Sequence, residues 1–585
     1  METKAPNLWR IFLEALAKYP FRSFRFFVGN FFVGIAQVVS IGSLYPIIAA
    51  VIEQNSQSGR LIKYFDKVLY IFGCEPVLMS YLFLFIGIAS LSAGIFVAVG
   101  IDQGRFLKVM EIELRQSIVK TVVGSRWQEL RNLNHGEFIN VVTREAELYK
   151  VLVKNIFLII GTLIQLAFFS YFIFRINLKF AVISFILLCL GFFVFMPLMK
   201  IASRLGHEWT DAFGRLTSNL VNSSRAFKNI KAGSLEKFLL RYFKPIVYET
   251  SHVYYKQQVL SAVQVRSIEL FGYCALSLLI YIGIEVMTIN ATQLVIALVI
   301  LSKIIPKARS LSDYFHRAYG NLPSLIKIQK IKEECMPEKA KKKEEARKKR
   351  FTNPMKVIHF QDVGFQHDST GKLFDSLTAE FHKGEFWAIC GATGSGKTTI
   401  LDLISGIIDP SFGDIFYDGI NSRKVSLDSL HQRIGYLTQD SFMFAASILE
   451  NICWGHENPD LSKIDQVIQM SQLNDLIREK TLDFPVSESG QNLSGGEQQR
   501  VVIARLLLKS YDFILMDEPS SALDSETEQR FLSALVSLKK KVGVIMVTHR
   551  QEYLKHADHI LRFNGSNVEI IPTNVVKPVL VTKES

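Results

Sequence analysis

Four stretches of this 585-residue chain carry no charged side chain over about 20 residues or more: 26–52, 76–101, 155–174 and 180–199. At a rise of about 1.5 Å per residue, each is long enough as a helix to cross a hydrocarbon layer of about 30 Å. Backbone N–H and C=O groups find no water in such a layer, so a lone apolar segment satisfies them only by coiling. The stretches therefore predict membrane-spanning helices and a lipid bilayer as the solvent for this half of the chain. The third and fourth are joined only by residues 175–179, which predicts a tight helical hairpin. Two weaker stretches follow, 266–288 and 291–308, interrupted by Glu269, Glu285 and Lys303. Charges at membrane depth need protein or water beside them, so these two are expected to face protein or water rather than lipid.

Six spans place both termini on one side, and the distribution of cations says which. Residues 102–154 carry nine Lys and Arg and residues 200–265 carry ten, against three in the loop 53–75. Cytoplasmic segments of membrane proteins collect cations. Both basic segments, both termini and whatever follows the last span are thus expected in the cytoplasm, in a multi-pass protein of the cell (inner) membrane. The same rule accounts for the net charge of +13, so no nucleic-acid partner is expected. The basic segments are helically patterned, which predicts spanning helices that run on past the bilayer and turn near residues 127–134 and 223–232. The loop 53–75 interleaves Leu61, Ile62, Tyr64, Phe65, Val68 and Leu69 with polar residues. This is the pattern of an amphipathic helix lying at the outer interface, and a short re-entrant segment fits it equally.

Residues 339–350 read KAKKKEEARKKR, a run with no apolar residue larger than Ala. It cannot bury a core, so it marks a boundary, and its charge suits contact with anionic lipid head groups. Beyond it, short β-type runs alternate with helical ones. The expected fold class is multidomain: an all-α six-helix transmembrane domain in residues 1–335, a basic linker in 336–354, and an α/β P-loop domain in 355–585.

The chemistry of that domain begins at Gly391-Ala392-Thr393-Gly394-Ser395-Gly396-Lys397-Thr398-Thr399, which follows the apolar run 386–390 and opens a helical segment. Strand, glycine loop and helix together are the setting of a phosphate-binding loop. The glycines let backbone N–H groups turn inward on phosphates, and the helix N-terminus adds positive potential. Lys397 is then placed to reach the β and γ phosphates, and the Thr398 hydroxyl to ligate Mg²⁺. Further on, an apolar run ends in Asp517-Glu518. A buried strand there delivers Asp517 to hold Mg²⁺ through water, with Glu518 one residue on to orient or deprotonate an attacking water. Such a run is common in isolation and informative only beside the loop.

The stretch NLSGGEQQR, holding Ser494, Gly495, Gly496 and Glu497, strongly resembles the signature motif of ABC ATPases. Gln439 in IGYLTQD resembles that family's Q-loop, Ser521-Ala522-Leu523-Asp524 its D-loop, and His549 after VGVIMVT its switch histidine. Six spans followed by one ATPase is the layout of half-size ABC exporters, so the resemblance covers the whole chain. It implies ATP and Mg²⁺ as cofactors and ATP hydrolysis coupled to transport. It assigns Glu518, His549 and Gln439 to catalysis, Gln439 to the metal with Thr398 and Asp517, and Asp524 to the nucleotide site. It also implies a dimer, with each phosphate loop facing Ser494 and Gly496 of a second copy; a heterodimer half is the alternative. The sequence departs from the pattern twice. Glu497 stands where Gln is usual, and His367 in VGFQH stands where a Tyr usually stacks on adenine, a weaker stack.

The membrane half is similar to lipid-linked oligosaccharide flippases, which carry an outer amphipathic helix after the first span. Lys303, Pro306, Lys307 and Arg309 in the sixth span add to the likeness. Helical spacing lets the three cations overlook one cavity, where they suit a pyrophosphate or other anionic head group. Pairing with Glu residues is the alternative. The resemblance thus implies export or flipping of a lipid-like or lipid-linked substrate, glycan-bearing in that family, with a peptide or other amphiphile as the alternative. A soluble ABC protein does not need the spans, and a regulator without turnover does not need Glu518 and His549.

Overall fold

The computed structural model of the chain describes residues 8–52, 60–131, 133–176, 178–286, 291–335, 348–367, 371–456, 458–520, 523–565 and 567–572. The chain divides into a helical unit, Met1–Ser125 with Glu129–Pro337, and an α/β unit, Arg126–Gln128 with Glu338–Ser585.

The apolar runs of the first half coil as their backbone requires. In chain order the helices are α1 (Leu8–Lys18), α2 (Pro20–Gly42), α3 (Tyr45–Ile52), α4 (Arg60–Ile71), α5 (Leu78–Val123), α6 (Trp127–Arg131), α7 (His135–Asn140), α8 (Ala146–Ile176), α9 (Leu178–Arg225), α10 (Phe227–Ala232), α11 (Glu236–Tyr281), α12 (Ala291–Gly320) and α13 (Leu322–Glu334). Helices α5, α9 and α11 run for 46, 48 and 46 residues. That is about 70 Å each, more than twice the hydrocarbon thickness, so they continue well past a bilayer. The chain turns back through the short α6, α7 and α10, at the tips read from the sequence. Among the described residues, four helical stretches are long and apolar enough to cross a membrane: Pro20–Ala49, Leu78–Val123, His135–Arg175 and Glu236–Glu285. The fourth expected span is a shorter apolar stretch, Leu178–Gly191, at the start of α9. Helix α4 falls where the amphipathic segment was read, with Leu69 buried and Tyr64 and Tyr70 exposed; residues 53–59 lie outside the described residues.

Between helices in hydrocarbon, close packing replaces the hydrophobic effect. The rings of Phe12, Phe26, Phe27 and Phe106 lie with centroids 5.2–5.9 Å from that of Phe157, three of the four pairs edge-on. Edge-on contact sets the positive rim of one ring against the negative face of another. Where backbones meet, glycine allows it: a Cβ on Gly206 of α9 would lie 2.1 Å from the carbonyl oxygen of Gly320 in α12.

Among its described residues the α/β unit has ten strands: β1 (Val357–His367), β2 (Gly371–His382), β3 (Phe386–Cys390), β4 (Phe412–Tyr417), β5 (Ile420–Asn421), β6 (Ile434–Leu437), β7 (Phe513–Asp517), β8 (Gly543–Val547), β9 (His559–Asn564) and β10 (Asn567–Pro572). They form a four-stranded antiparallel sheet, β2-β1-β4-β5, and a six-stranded sheet, β10-β9-β3-β8-β7-β6. In the larger sheet β9, β3, β8, β7 and β6 are parallel. Every residue of β7 and β8 is buried, which explains their unbroken apolar sequence. Parallel order also brings the carboxyl ends of β3, β6, β7 and β8 to one edge, where ligands of such sheets bind.

Candidate functional site

At the end of β3 the chain enters the glycine loop and leaves it as helix α14 (Lys397–Ile404). Gly394 and Gly396 hold φ of +80° and +104°, the left-handed region open to glycine without strain. A Cβ on Gly396 would also meet Leu373 at 2.7 Å. Ala392 and Thr393 are exposed at the loop's tip, and Thr399 is half-buried in the first turn of α14. Lys397 is buried and folded back, its Nζ donating to the carbonyls of Gly391 at 3.0 Å and Ala392 at 2.8 Å. The Ser395 Oγ is buried without a hydrogen-bond partner. A cradle of turned backbone, an ammonium held only by loop carbonyls and an unsatisfied hydroxyl fit a polyphosphate.

Two strands along the sheet, at the end of β7, Asp517 Oδ2 accepts from Thr398 Oγ1 at 2.7 Å. Burial pushes the Asp517 carboxyl above the usual range; the Thr398 bond pulls it down, and the neighbouring Glu518 carboxylate pushes it up again. A hydroxyl and a buried carboxylate are the oxygen donors that a magnesium ion takes from a protein when phosphates supply the rest, so the residues fit that ion. Glu518 follows with φ +48°, rare for a residue with a Cβ and typical of functional sites. Its Oε1 lies 2.9 Å from Nε2 of His549, just past β8. The sheet makes this meeting unavoidable, because Asp517 and Val547 are register partners on adjacent strands.

The other sequence-predicted residues are placed less centrally. Ser494 and Gly495 are exposed at the start of α15 (Gly495–Leu507), with half-buried Gly496 next in that helix. Ser494 caps the helix: its Oγ accepts from Glu497 N at 3.3 Å, and Glu497 Oε2 accepts from Ser494 N at 2.6 Å. Lys480 adds an ion pair to Glu497 at 3.4 Å. Asp524 likewise caps α16 (Ser525–Leu538), accepting from Glu526 N and Thr527 N. Ser521 and Ala522 before it lie outside the described residues, as does the side chain of His367, whose backbone ends β1. Gln439 is exposed just beyond β6. Two supporting residues were not singled out from the sequence. Gln499 on α15 donates to the Glu518 carbonyl at 3.2 Å, and Arg550 to the Ser520 carbonyl at 2.9 Å. Gln499 is 4% exposed, and its place within NLSGGEQQR was the signal the sequence carried.

In the helical unit the three cations do not share a cavity. Arg309 donates to Glu269 of α11, which also accepts from Arg266 at 2.7 Å. Lys307 donates to Gln165 of α8, which in turn donates to Asn30 of α2 at 3.4 Å. Lys303 is exposed. A cavity of about 500 Å³ in this unit is lined from α12 by Ile304, Ala308, Leu311 and Phe315 among others, and among the described residues no charged group lines it. Helical geometry explains the correction: these four form one stripe, and the cations sit about 70° to 130° from its centre.

A P-loop ATPase unit joined to a helical unit with membrane-length apolar helices defines the class. Residues 374–521 match the model of the family described as ABC transporter. Over 94% of its length the chain superposes on 95% of a solved bacterial Atm1-family ABC exporter with ATP bound, with a TM-score of 0.79 at 20% identity. The chain has the fold of an ABC exporter. Among curated relatives, an ATP-dependent lipid A-core flippase of Neisseria gonorrhoeae is 34% identical over 214 residues, 36% of this chain and 34% of that protein. A mitochondrial iron-sulfur clusters transporter of Oryzias latipes is 36% identical over 214 residues, 36% of this chain and 29% of that one. The chain thus spans about a third of the length of the curated relatives it matches.

Proposed function

We propose that this chain hydrolyses ATP to drive export of a lipid-like or lipid-linked substrate across the cell membrane, as one subunit of a homodimer. The observation that carries the hydrolytic part is the pair of contacts at one sheet edge, Thr398 with Asp517 and Glu518 with His549. The loop N–H groups bind the phosphates, and Lys397 exchanges its two carbonyl partners for phosphate oxygens. Thr398, Asp517 and Gln439 would hold a magnesium ion, whose contribution is to neutralise charge on the β and γ phosphates. Glu518 takes the proton of the attacking water, and His549 holds the carboxylate in place. Ser494 and Gly496, at a solvent-facing helix N-terminus, suit phosphates bound on a second copy. Excess Lys and Arg in residues 102–154 and 200–265 supports a cytoplasmic ATPase unit and cytoplasmic termini. For the cargo, the uncharged cavity supports an apolar moiety, and Lys307, held by a neutral amide, is the cation of the three best suited to an anionic head group.

The test is ATP turnover by the purified chain in nanodiscs. Glu518→Gln should keep ATP binding and lose roughly 10²- to 10⁴-fold in rate, the usual worth of a general base; wild-type turnover would remove Glu518 from this role. Stimulation measured across lipids, lipid-linked glycans and peptides checks the cargo, and stimulation by peptides alone overturns the lipid reading.

A further inference from the structure

The cavity between α8, α9, α11 and α12 holds about 500 Å³, and we infer that it is a binding site for one long alkyl chain. Its wall is built by Leu163, Phe185, Phe271, Ala275, Ile304 and Phe315 among others. Two of its three serine hydroxyls are engaged by protein groups. Ser184 donates to its own helix at the Phe180 carbonyl, 2.8 Å, and Ser312 Oγ is taken up by Gln264 Nε2 at 2.6 Å. A charged cargo group placed here meets no counter-charge among the described residues, which burial makes prohibitive. The site therefore selects hydrocarbon.

Size narrows the occupant. A dry cavity of about 150 Å³ takes the six carbons of benzene, so this one has room for about twenty carbon atoms. An α-helix about 10 Å across would fit only about one turn into the same volume, so a peptide is the wrong shape. The volume is not slack packing either. The walls touch at glycines, where a Cβ on Gly191 would meet Phe271 at 2.8 Å and one on Gly272 would meet Ile305 at 2.9 Å. Helices pinned this closely leave the space between them as a shaped void, and a chain that fills it adds dispersion contacts on the cavity side. Phe185 and Phe193 line the cavity and are also 58% and 68% exposed, so it opens on the surface of α9. A chain can slip in sideways while its head group stays outside. Both a transported amphiphile and a bilayer lipid carry such a chain. The site stands on the cavity and not on the ATPase reading.

The experiment uses the full chain in detergent and hexadecanol bearing a mid-chain diazirine. Photolysis should label residues 181–193 and 268–279, and plain hexadecanol should compete. Ala308→Phe puts a ring into the cavity and should cut labelling about five-fold. Label confined to other helices, or undiminished in a folded Ala308→Phe protein, overturns the site. If that variant does not fold, a series of alcohols on the unmodified chain decides: competition should strengthen with length and level off near about twenty carbons. Competition that ignores length, or grows without limit, overturns it too. Repeating the labelling on Glu518→Gln protein separates the sources while leaving the site standing. Loss of label on adding ATP assigns a cargo chain, and unchanged label assigns a bilayer lipid.

Discussion

Glu497 shows how one side chain can serve a fold and a site together. Burial pushes its carboxyl up, but hydrogen bonds from Ser494 and the Lys480 charge outweigh this and hold it below the ordinary glutamate range. A carboxyl with a depressed folded pKa contributes stability that is present above its unfolded value, about 4.3, and lost as pH falls through the folded one. Gln can still close the capping box but cannot pair with Lys480. Glu497→Gln should therefore lower stability at neutral pH by no more than about 1 kcal/mol. That difference should shrink as pH falls below the unfolded value of about 4.3 toward the lowered folded one. Thermal melts of the two proteins between pH 7.5 and 3.5 check this, and a constant gap would mean the charge contributes nothing. The departure from the usual glutamine is then a change of pH response at the signature helix rather than a loss of its cap.

At the scale of elements, the long helices of the first unit are held by contacts that glycine permits and any other residue blocks. Gly206 and Gly320 bring α9 and α12 into backbone contact, with a would-be Cβ 2.1 Å from a carbonyl oxygen that has nowhere to go. Gly94 and Gly100 of α5 face nothing within 4 Å. Gly206→Ala should thus part the two helices and destabilise the protein by about 1–3 kcal/mol, the range of overpacked cores. Gly94→Ala should be neutral or stabilising by up to about 1 kcal/mol, because alanine favours helix. Melting temperatures in one detergent decide between them. Equal effects would mean that the α9–α12 crossing is not a tight one.

For the whole molecule, the exposed start of α15 is the feature that argues for a second copy. Among the described residues Ser494 bonds only within its own helix, to Glu497 through its N–H and Oγ and to Gln498 through its carbonyl, and not to the chain's own phosphate loop. If the site is completed between copies, Thr393→Cys on one tagged chain and Ser494→Cys on another should form a disulfide. ATP and Glu518→Gln should favour it. Thr393 is chosen because it is exposed where Ser395 Oγ is buried. A disulfide found only within single chains, by mass mapping of the tagged mixture, would overturn the shared site.

What the sequence by itself determined is whatever local rules decide. Uncharged runs long enough for hydrocarbon must be helical, and helices α2, α5, α8 and the start of α9 lie there. The strand, glycine loop and helix around Lys397 are contiguous, so their shape was legible from spacing. The tertiary structure alone decided which distant residues meet. Thr398 and Asp517 are 119 residues apart, and they bond because β3, β8 and β7 are neighbours in one sheet. No periodicity in the chain encodes that strand order, which comes from crossovers and long-range pairing. The same holds for Gln499 beneath Glu518. It holds most sharply for Lys303, Lys307 and Arg309, close in sequence yet sent to different surroundings. A helix fixes the angle between its own side chains, whereas the partner each one meets is set by the helices packed around it.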